Sequence, residues 1–136
     1  MRVLALDYGS ARCGCAVSDP TGVLATPLEP VLAPGSRRGL RRIAELVEEL
    51  GAERVVVGLP LSLAGGDSAQ TLAARHFAGV LSRRLRVPVE LYDERFTTRI
   101  AELDPPAARA SEDSRAAAHL LSSWLDSRAA GGVDRA

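Results

Sequence analysis

Arg2-Val3-Leu4-Ala5-Leu6-Asp7-Tyr8-Gly9-Ser10-Ala11-Arg12-Cys13-Gly14-Cys15-Ala16-Val17-Ser18 is the informative stretch of this sequence. Residues 2–6 are an apolar run and read as a buried strand that ends at the turn Asp7-Tyr8-Gly9-Ser10. Residues 12–18 read as a second strand, with Cys13, Cys15 and Val17 alternating against Gly14, Ala16 and Ser18. Asp19-Pro20-Thr21-Gly22 is another turn, and a third extended segment follows near 23–31. Short turns between three strands predict an antiparallel meander.

Beyond the meander the pattern changes to helices alternating with strands. Ser36 caps a helix to Leu50, with Leu40, Ile43, Leu46 and Val47 at helical spacing and Gly51 as the stop. Val55-Val56-Val57 is a strand. Asp67 or Ser68 caps a helix to about Arg86 with the stripe Leu72, His76/Phe77, Val80/Leu81 and Leu85. Val87 to Tyr92 is a strand closing at Asp93-Glu94-Arg95, and Thr97 or Thr98 starts a short helix to Leu103. Asp113 to about Asp126 is a helix with Ala117, Leu120, Leu121 and Trp124 inward. The order predicts an α/β fold with a mixed five-stranded sheet, meander plus parallel strands, flanked by helices. Residues 1–128 are expected to form one domain and 129–136 a flexible tail.

Composition narrows the function classes. The chain has 136 residues, 46% of them apolar, and 17 arginines balance 17 acidic residues with no lysine. One domain with a real core is expected at this length. Zero net charge means that no whole-molecule field draws the chain to nucleic acid or anionic lipid, so any polyanion site is a local patch. No apolar run reaches the ~18 residues of a membrane span, and the start is too soon charged for a signal peptide. The expected location is the cytoplasm. Cys13 and Cys15 share a strand face, which suits two small buried hydrophobes better than a disulfide or a zinc site.

Three carboxylate positions stand where apolar elements turn polar: Asp7 after the first strand, Asp93-Glu94 after the last, and Asp113 at the start of the last helix. Singly, Asp7 also reads as a turn former, Asp113 as a helix cap and Glu94 as a partner for Arg95 or Arg99. If they converge, the donor set is all oxygen. That suits Mg²⁺ or Mn²⁺ and phosphodiester hydrolysis. The loop from Gly58 through Pro60 and Gly65 to Ser68 joins a strand to a helix start whose amides suit a phosphate. It lacks the Gly-Lys-Ser/Thr ending of a Walker loop.

Leu6-Asp7-Tyr8-Gly9 with Arg12, Gly14 and Ala16-Val17-Ser18-Asp19 forms one motif. Val56-Val57-Gly58-Leu59-Pro60-Leu61 with Gly65, Tyr92-Asp93-Glu94-Arg95-Phe96-Thr97-Thr98, and Asp113 followed by Ala116-Ala117, Leu120-Leu121 and Trp124-Leu125-Asp126 complete the set. Together these resemble the YqgF (RuvX) family of the RNase H-like superfamily, over residues 2–126. The resemblance implies an RNase H-like fold and a nuclease of structured nucleic acid. It implies that Asp7, Glu94 and Asp113 are catalytic and bind metal, choosing Glu94 over Asp93. It favours maturation of the 5′ end of pre-16S rRNA, with ribosomal particles as further partners. The alternatives are Holliday junction resolution on branched DNA and a non-catalytic RNA-binding or ribosome-assembly factor.

Arg12, Arg95, Gly58, Pro60 and Gly65 are the expected substrate-binding residues, because they flank the strand ends that hold the carboxylates. Two departures from the family pattern stand out. Ala11 precedes Arg12 where Lys-Arg is usual, and the segment before Asp113, usually longer and basic, is short here and carries Pro105-Pro106, Arg109 and the acidic Glu112. Both reduce the charge available for phosphate. A nucleotide-binding module of the actin/Hsp70 type also begins strand, Asp, Gly, strand, but needs two such domains. No heptad stripe predicts a dimer, so a monomer or weak dimer is expected, and no membrane partner.

Overall fold

The computed structural model of the protein describes residues 1–60, 68–93 and 111–132. The described elements are β1 (Val3–Asp7), β2 (Arg12–Ser18), β3 (Ala25–Leu32), α1 (Arg37–Leu50), β4 (Arg54–Leu59), α2 (Ala69–Arg84), β5 (Val89–Asp93) and α3 (Glu112–Gly132). The strands make one sheet in the order β3-β2-β1-β4-β5. β1, β2 and β3 are antiparallel neighbours, while β4 adds parallel to β1 and β5 parallel to β4. The meander and the parallel additions expected from the sequence are both present. The expected short helix at 97–103 lies outside the described residues.

Side-chain alternation sends the two faces of the sheet to different layers. Leu4, Leu6, Cys13, Cys15, Val55 and Val57 pack with Ile43, Leu46 and Val47 of α1 and Phe77, Ala78 and Leu81 of α2. Val3, Ala5, Ala16, Val56 and Tyr92 pack with Ala117, Ala118, Leu120, Leu121 and Trp124 of α3. Both cysteines are buried and free, as expected. No helix among the described residues is long and apolar enough to cross a membrane.

Capping chemistry sets the helix starts. The Ser36 hydroxyl accepts from Gly39 N at 3.0 Å, and Gly51 closes α1 in the left-handed region at φ 63°. Ser68, not Asp67, caps α2, accepting from Thr71 N at 3.2 Å. The inward stripe of α2 is rotated from the expected one: Thr71, Ala74, Phe77, Ala78 and Leu81 are buried, whereas Leu72 is 56% exposed and His76 is exposed. The small residues Ala74 and Ala78 let the helix approach the sheet, and Thr71 turns inward because its hydroxyl donates to the Pro60 carbonyl. α3 continues past the expected stop at Asp126 to Gly132. Ser127-Arg128-Ala129-Ala130 contains no helix breaker, and two glycines follow.

Candidate nuclease site

The parallel strands β1, β4 and β5 end on one edge of the sheet, at Asp7, Leu59 and Asp93. Crevices beyond such carboxyl ends are where ligands bind in sheets of this kind. Asp7 continues the Val3 and Ala5 face and so points towards α3. Its neighbour Tyr8 turns the other way, with its ring centroid 4.5 Å from that of Phe77. The end of β1 is thus held from both layers.

Asp7 pairs with Gly14 of β2, and Gly14 is the seat of α3. A Cβ built on Gly14 would lie 1.9 Å from the Asp113 carbonyl oxygen and 2.9 Å from Ser114 N. The backbone of Asp113 therefore rests on the residue paired with Asp7. The fully buried Ser114 fixes that contact, its Oγ accepting from Cys15 N at 3.3 Å. That amide lies at the irregularity in the β2–β3 pairing between Cys13 and Cys15. There a hydroxyl from the helix bonds the strand backbone.

The cap of α3 is Ser111, whose Oγ accepts from Ser114 N at 3.1 Å. Asp113 is not the cap, so its carboxylate is released from that duty. It sits in the first turn with Glu112, where the positive end of the helix favours a negative charge. Arg12 reaches the same carboxylate, its Nε 3.3 Å from Oδ2. On the opposite sheet face the Cys13 thiol is raised well above its ordinary value. The first cause is its hydrogen bond with Cys15, followed by burial and by the charges of Cys15, Asp7 and Asp113.

Two further ties hold α3 against β5. Trp124 Nε1 donates to Glu90 Oε2 at 2.8 Å, while Glu90 Oε1 pairs with Arg54 Nη1 at 2.8 Å. The Tyr92 and Ser123 hydroxyls lie 2.9 Å apart. Glu90 and Tyr92 face α3, and the alternation turns Asp93 to the other side.

Of the residues expected at the site, Arg12 and Asp113 come together, and the Asp113 backbone lies over Gly14, the residue paired with Asp7. Gly58 is buried one strand away, at the level of Asp7 by the Leu6–Val57 register and paired with Tyr92. Pro60 is fastened to α2 through Thr71. Glu94, Arg95 and Gly65 lie outside the described residues. Among the described residues no group of three His, Cys, Asp or Glu is placed to hold a metal ion. Sequence reasoning missed Ser111 and Ser114. The available signal was a serine three residues ahead of a second one, at the start of an apolar helical stripe.

The family model described as "RuvX: Holliday junction resolvase" matches residues 1–127. A relative from Mycolicibacterium paratuberculosis named "Putative pre-16S rRNA nuclease" is 48% identical, covering 95% of this chain and 82% of that one. A relative of the same name from Koribacter versatilis is 38% identical, covering 98% and 90%. Among solved structures, RuvC of T. thermophilus in complex with a Holliday junction substrate superposes with a TM-score of 0.68 at 18% identity over 96% of each chain. At that identity the likeness shows the fold alone, and it agrees with the RNase H-like architecture expected from the motifs.

Proposed function

The chain belongs to the RuvX family, and on that premise we propose that it is a metal-dependent nuclease that matures the 5′ end of pre-16S rRNA. The observation that carries the reading is the seating of α3 on Gly14, which sets the Asp113 backbone beside the strand end of Asp7. That seating supports two carboxylates, from elements far apart in sequence, acting together at the carboxyl edge of the sheet. The thiols of Cys13 and Cys15 face the other layer, so the donors on the α3 side are hard oxygens. That chemistry fits Mg²⁺ or Mn²⁺ and is poor for zinc.

We assign Asp7, Asp113 and Glu94 as the residues that would hold the ion. Glu94 is preferred to Asp93 on the family motif, and the turn of Asp93 away from the α3 face agrees with that choice. Such ions, when bound, activate the attacking water and stabilise the leaving oxygen. Asp7, at the strand end beside Gly14 and the Tyr8–Phe77 stack, would hold the ion from the strand side, and Asp113 would hold it from the helix side. Arg12 and Arg95 contact neighbouring phosphates, and the backbone of the loop through Gly58, Pro60 and Gly65 lines the approach.

The relatives' printed name supports RNA as substrate. A junction resolvase cuts two strands symmetrically and needs a stable two-fold dimer. A cleavage panel tests the proposal with pre-16S 5′-leader RNA, a four-way DNA junction and single strands, each with Mg²⁺, Mn²⁺ or excess EDTA. Leader cleavage that needs the ion and exceeds junction cleavage is expected. Symmetric junction cutting by a stable dimer, faster than leader cleavage, overturns the substrate assignment. Full activity in EDTA overturns the mechanism.

A further inference from the structure

Arg12 is placed for two tasks that exclude each other. It opens β2 two residues before Gly14, so it rises from the same face of the sheet as Asp7 and passes the first turn of α3. Its Nε lies 3.3 Å from Asp113 Oδ2, and the two side chains are 61% and 42% exposed. That separation is longer than the roughly 2.7–2.9 Å of a strong charge-assisted hydrogen bond. An exposed ion pair of this kind shifts an equilibrium by no more than about fivefold. The guanidinium cannot lose its charge, so Asp113 exchanges this partner only when the side chain moves. The pair is weak enough to be exchanged and strong enough to be measured.

We propose, resting on the metal-site reading above, that Arg12 is the exchangeable counterion of the Asp113 carboxylate. In the absence of a cation it lies on Asp113 and offsets that carboxylate's negative charge. When a divalent cation takes the Asp113 oxygen, Arg12 is released to a phosphate of the substrate. A phosphate that draws Arg12 away in turn uncovers Asp113 for the cation. Metal and nucleic acid are therefore coupled through one side chain, and by linkage the coupling is the same in both directions. A residue that merely lowered the local potential would act on the metal alike with and without nucleic acid.

The test is the Mn²⁺ affinity of wild type, Arg12→Gln and Asp113→Asn by calorimetric titration. Each is measured without nucleic acid and with saturating phosphorothioate-linked leader RNA. Arg12 is exposed, so the variant should keep its fold, which circular dichroism verifies. Without RNA, Arg12→Gln is expected to bind Mn²⁺ about two- to fivefold more tightly than wild type. With RNA bound, wild type and Arg12→Gln should bind it equally well, because Arg12 has already left Asp113. Tightening by the same factor in both conditions, or in neither, overturns the proposal and leaves the metal site standing. Mn²⁺ binding that is absent from wild type, or unchanged in Asp113→Asn, overturns the metal-site reading and the Arg12 proposal with it.

Discussion

Replacing Gly14 with alanine tests whether the seating of α3 makes the site. A Cβ at that position would lie 1.9 Å from the Asp113 carbonyl oxygen and 2.3 Å from its carbonyl carbon, whereas ordinary contact begins at 3.4 Å. The obstacle is backbone, so no side chain can swing aside and the start of α3 must retreat by about 1.5 Å. Forcing a methyl into packed structure costs about 1–3 kcal/mol. Stretching the Cys15 N to Ser114 Oγ bond beyond its present 3.3 Å adds about 1 kcal/mol. For a chain of this length the sum lowers Tm by roughly 6–15 °C. A displacement of about 1 Å in a reacting group costs on the order of a hundredfold in rate, so kcat/KM on leader RNA should fall by about that factor. Gly51→Ala is the matched control. It has a positive φ of 63° and nothing within 4 Å of its built Cβ, so it loses about 1–2 kcal/mol through backbone strain without touching α3. It should keep wild-type kcat. Calorimetry and steady-state cleavage at a temperature where both variants are folded decide the matter. A Gly14→Ala protein that melts within 2 °C of wild type, or cleaves as well as Gly51→Ala, refutes the reasoning.

If Asp7 holds the ion as proposed, Asp7→Asn should lower leader cleavage by about a hundredfold or more, with Tm unchanged; wild-type-like cleavage would exclude Asp7 from the site. Ser114→Ala removes the hydroxyl that accepts from the buried Cys15 amide and should cost about 0.5–1.5 kcal/mol, read as a lower urea midpoint and faster hydrogen exchange at that amide. Arg12→Ala should weaken RNA binding for all sequences and reduce the slope of log K against log salt by about 0.7, one single-strand phosphate. The Asp19 carboxyl is held below its ordinary 3.8, first by the Thr21 hydroxyl and then by backbone amides including those of Leu24 and Val23. The unfolded chain therefore binds that proton more readily, and the stabilisation is intact above about pH 4 and lost as pH falls further. Asp19→Asn should flatten the decline of Tm between about pH 4 and pH 2 and leave cleavage unchanged.

Local signals carried the strands, the helices and two of the three carboxylates. β1 and β2 were legible because a turn separates two short apolar runs, and α1 because Ser36 and Gly51 punctuate one clear stripe. α2 was legible as a helix but not in its rotation. Leu72 is the more apolar residue, yet Thr71 is buried because its hydroxyl satisfies the Pro60 carbonyl, a contact across eleven positions. Asp7 and Asp113 were candidates because each ends or begins an apolar element. The seating of Asp113 over the residue paired with Asp7 was not legible, since it depends on Gly14 and on Ser114, ninety-nine positions from Cys15. Asp113 also read as a cap, and only the Ser111 hydroxyl bond to Ser114 N removes that alternative. The choice of Glu94 came from the family motif.

The two layers differ in thickness, and the site depends on the thinner one. Facing α1 and α2, the sheet presents Leu4, Leu6, Val55 and Val57 to Ile43, Leu46, Val47, Phe77 and Leu81, so bulk fills the gap. Facing α3 near its start, it presents Ala5, Gly14 and Ala16 to Ser114, Ala117 and Ala118. Small residues on both sides let backbone approach backbone, and side chains as short as aspartate can then act together from a strand and a helix. Further along α3 the bulk returns with Leu120, Leu121 and Trp124. The polar ties Trp124–Glu90–Arg54 and Tyr92–Ser123 hold β5 to the helix at that level. Close approach at the start of the helix and anchoring further along it fix where Asp113 stands relative to the ends of β1 and β5. Enlarging Ala117 or Ala118 should therefore impair cleavage even though neither residue carries a group that acts on a phosphate.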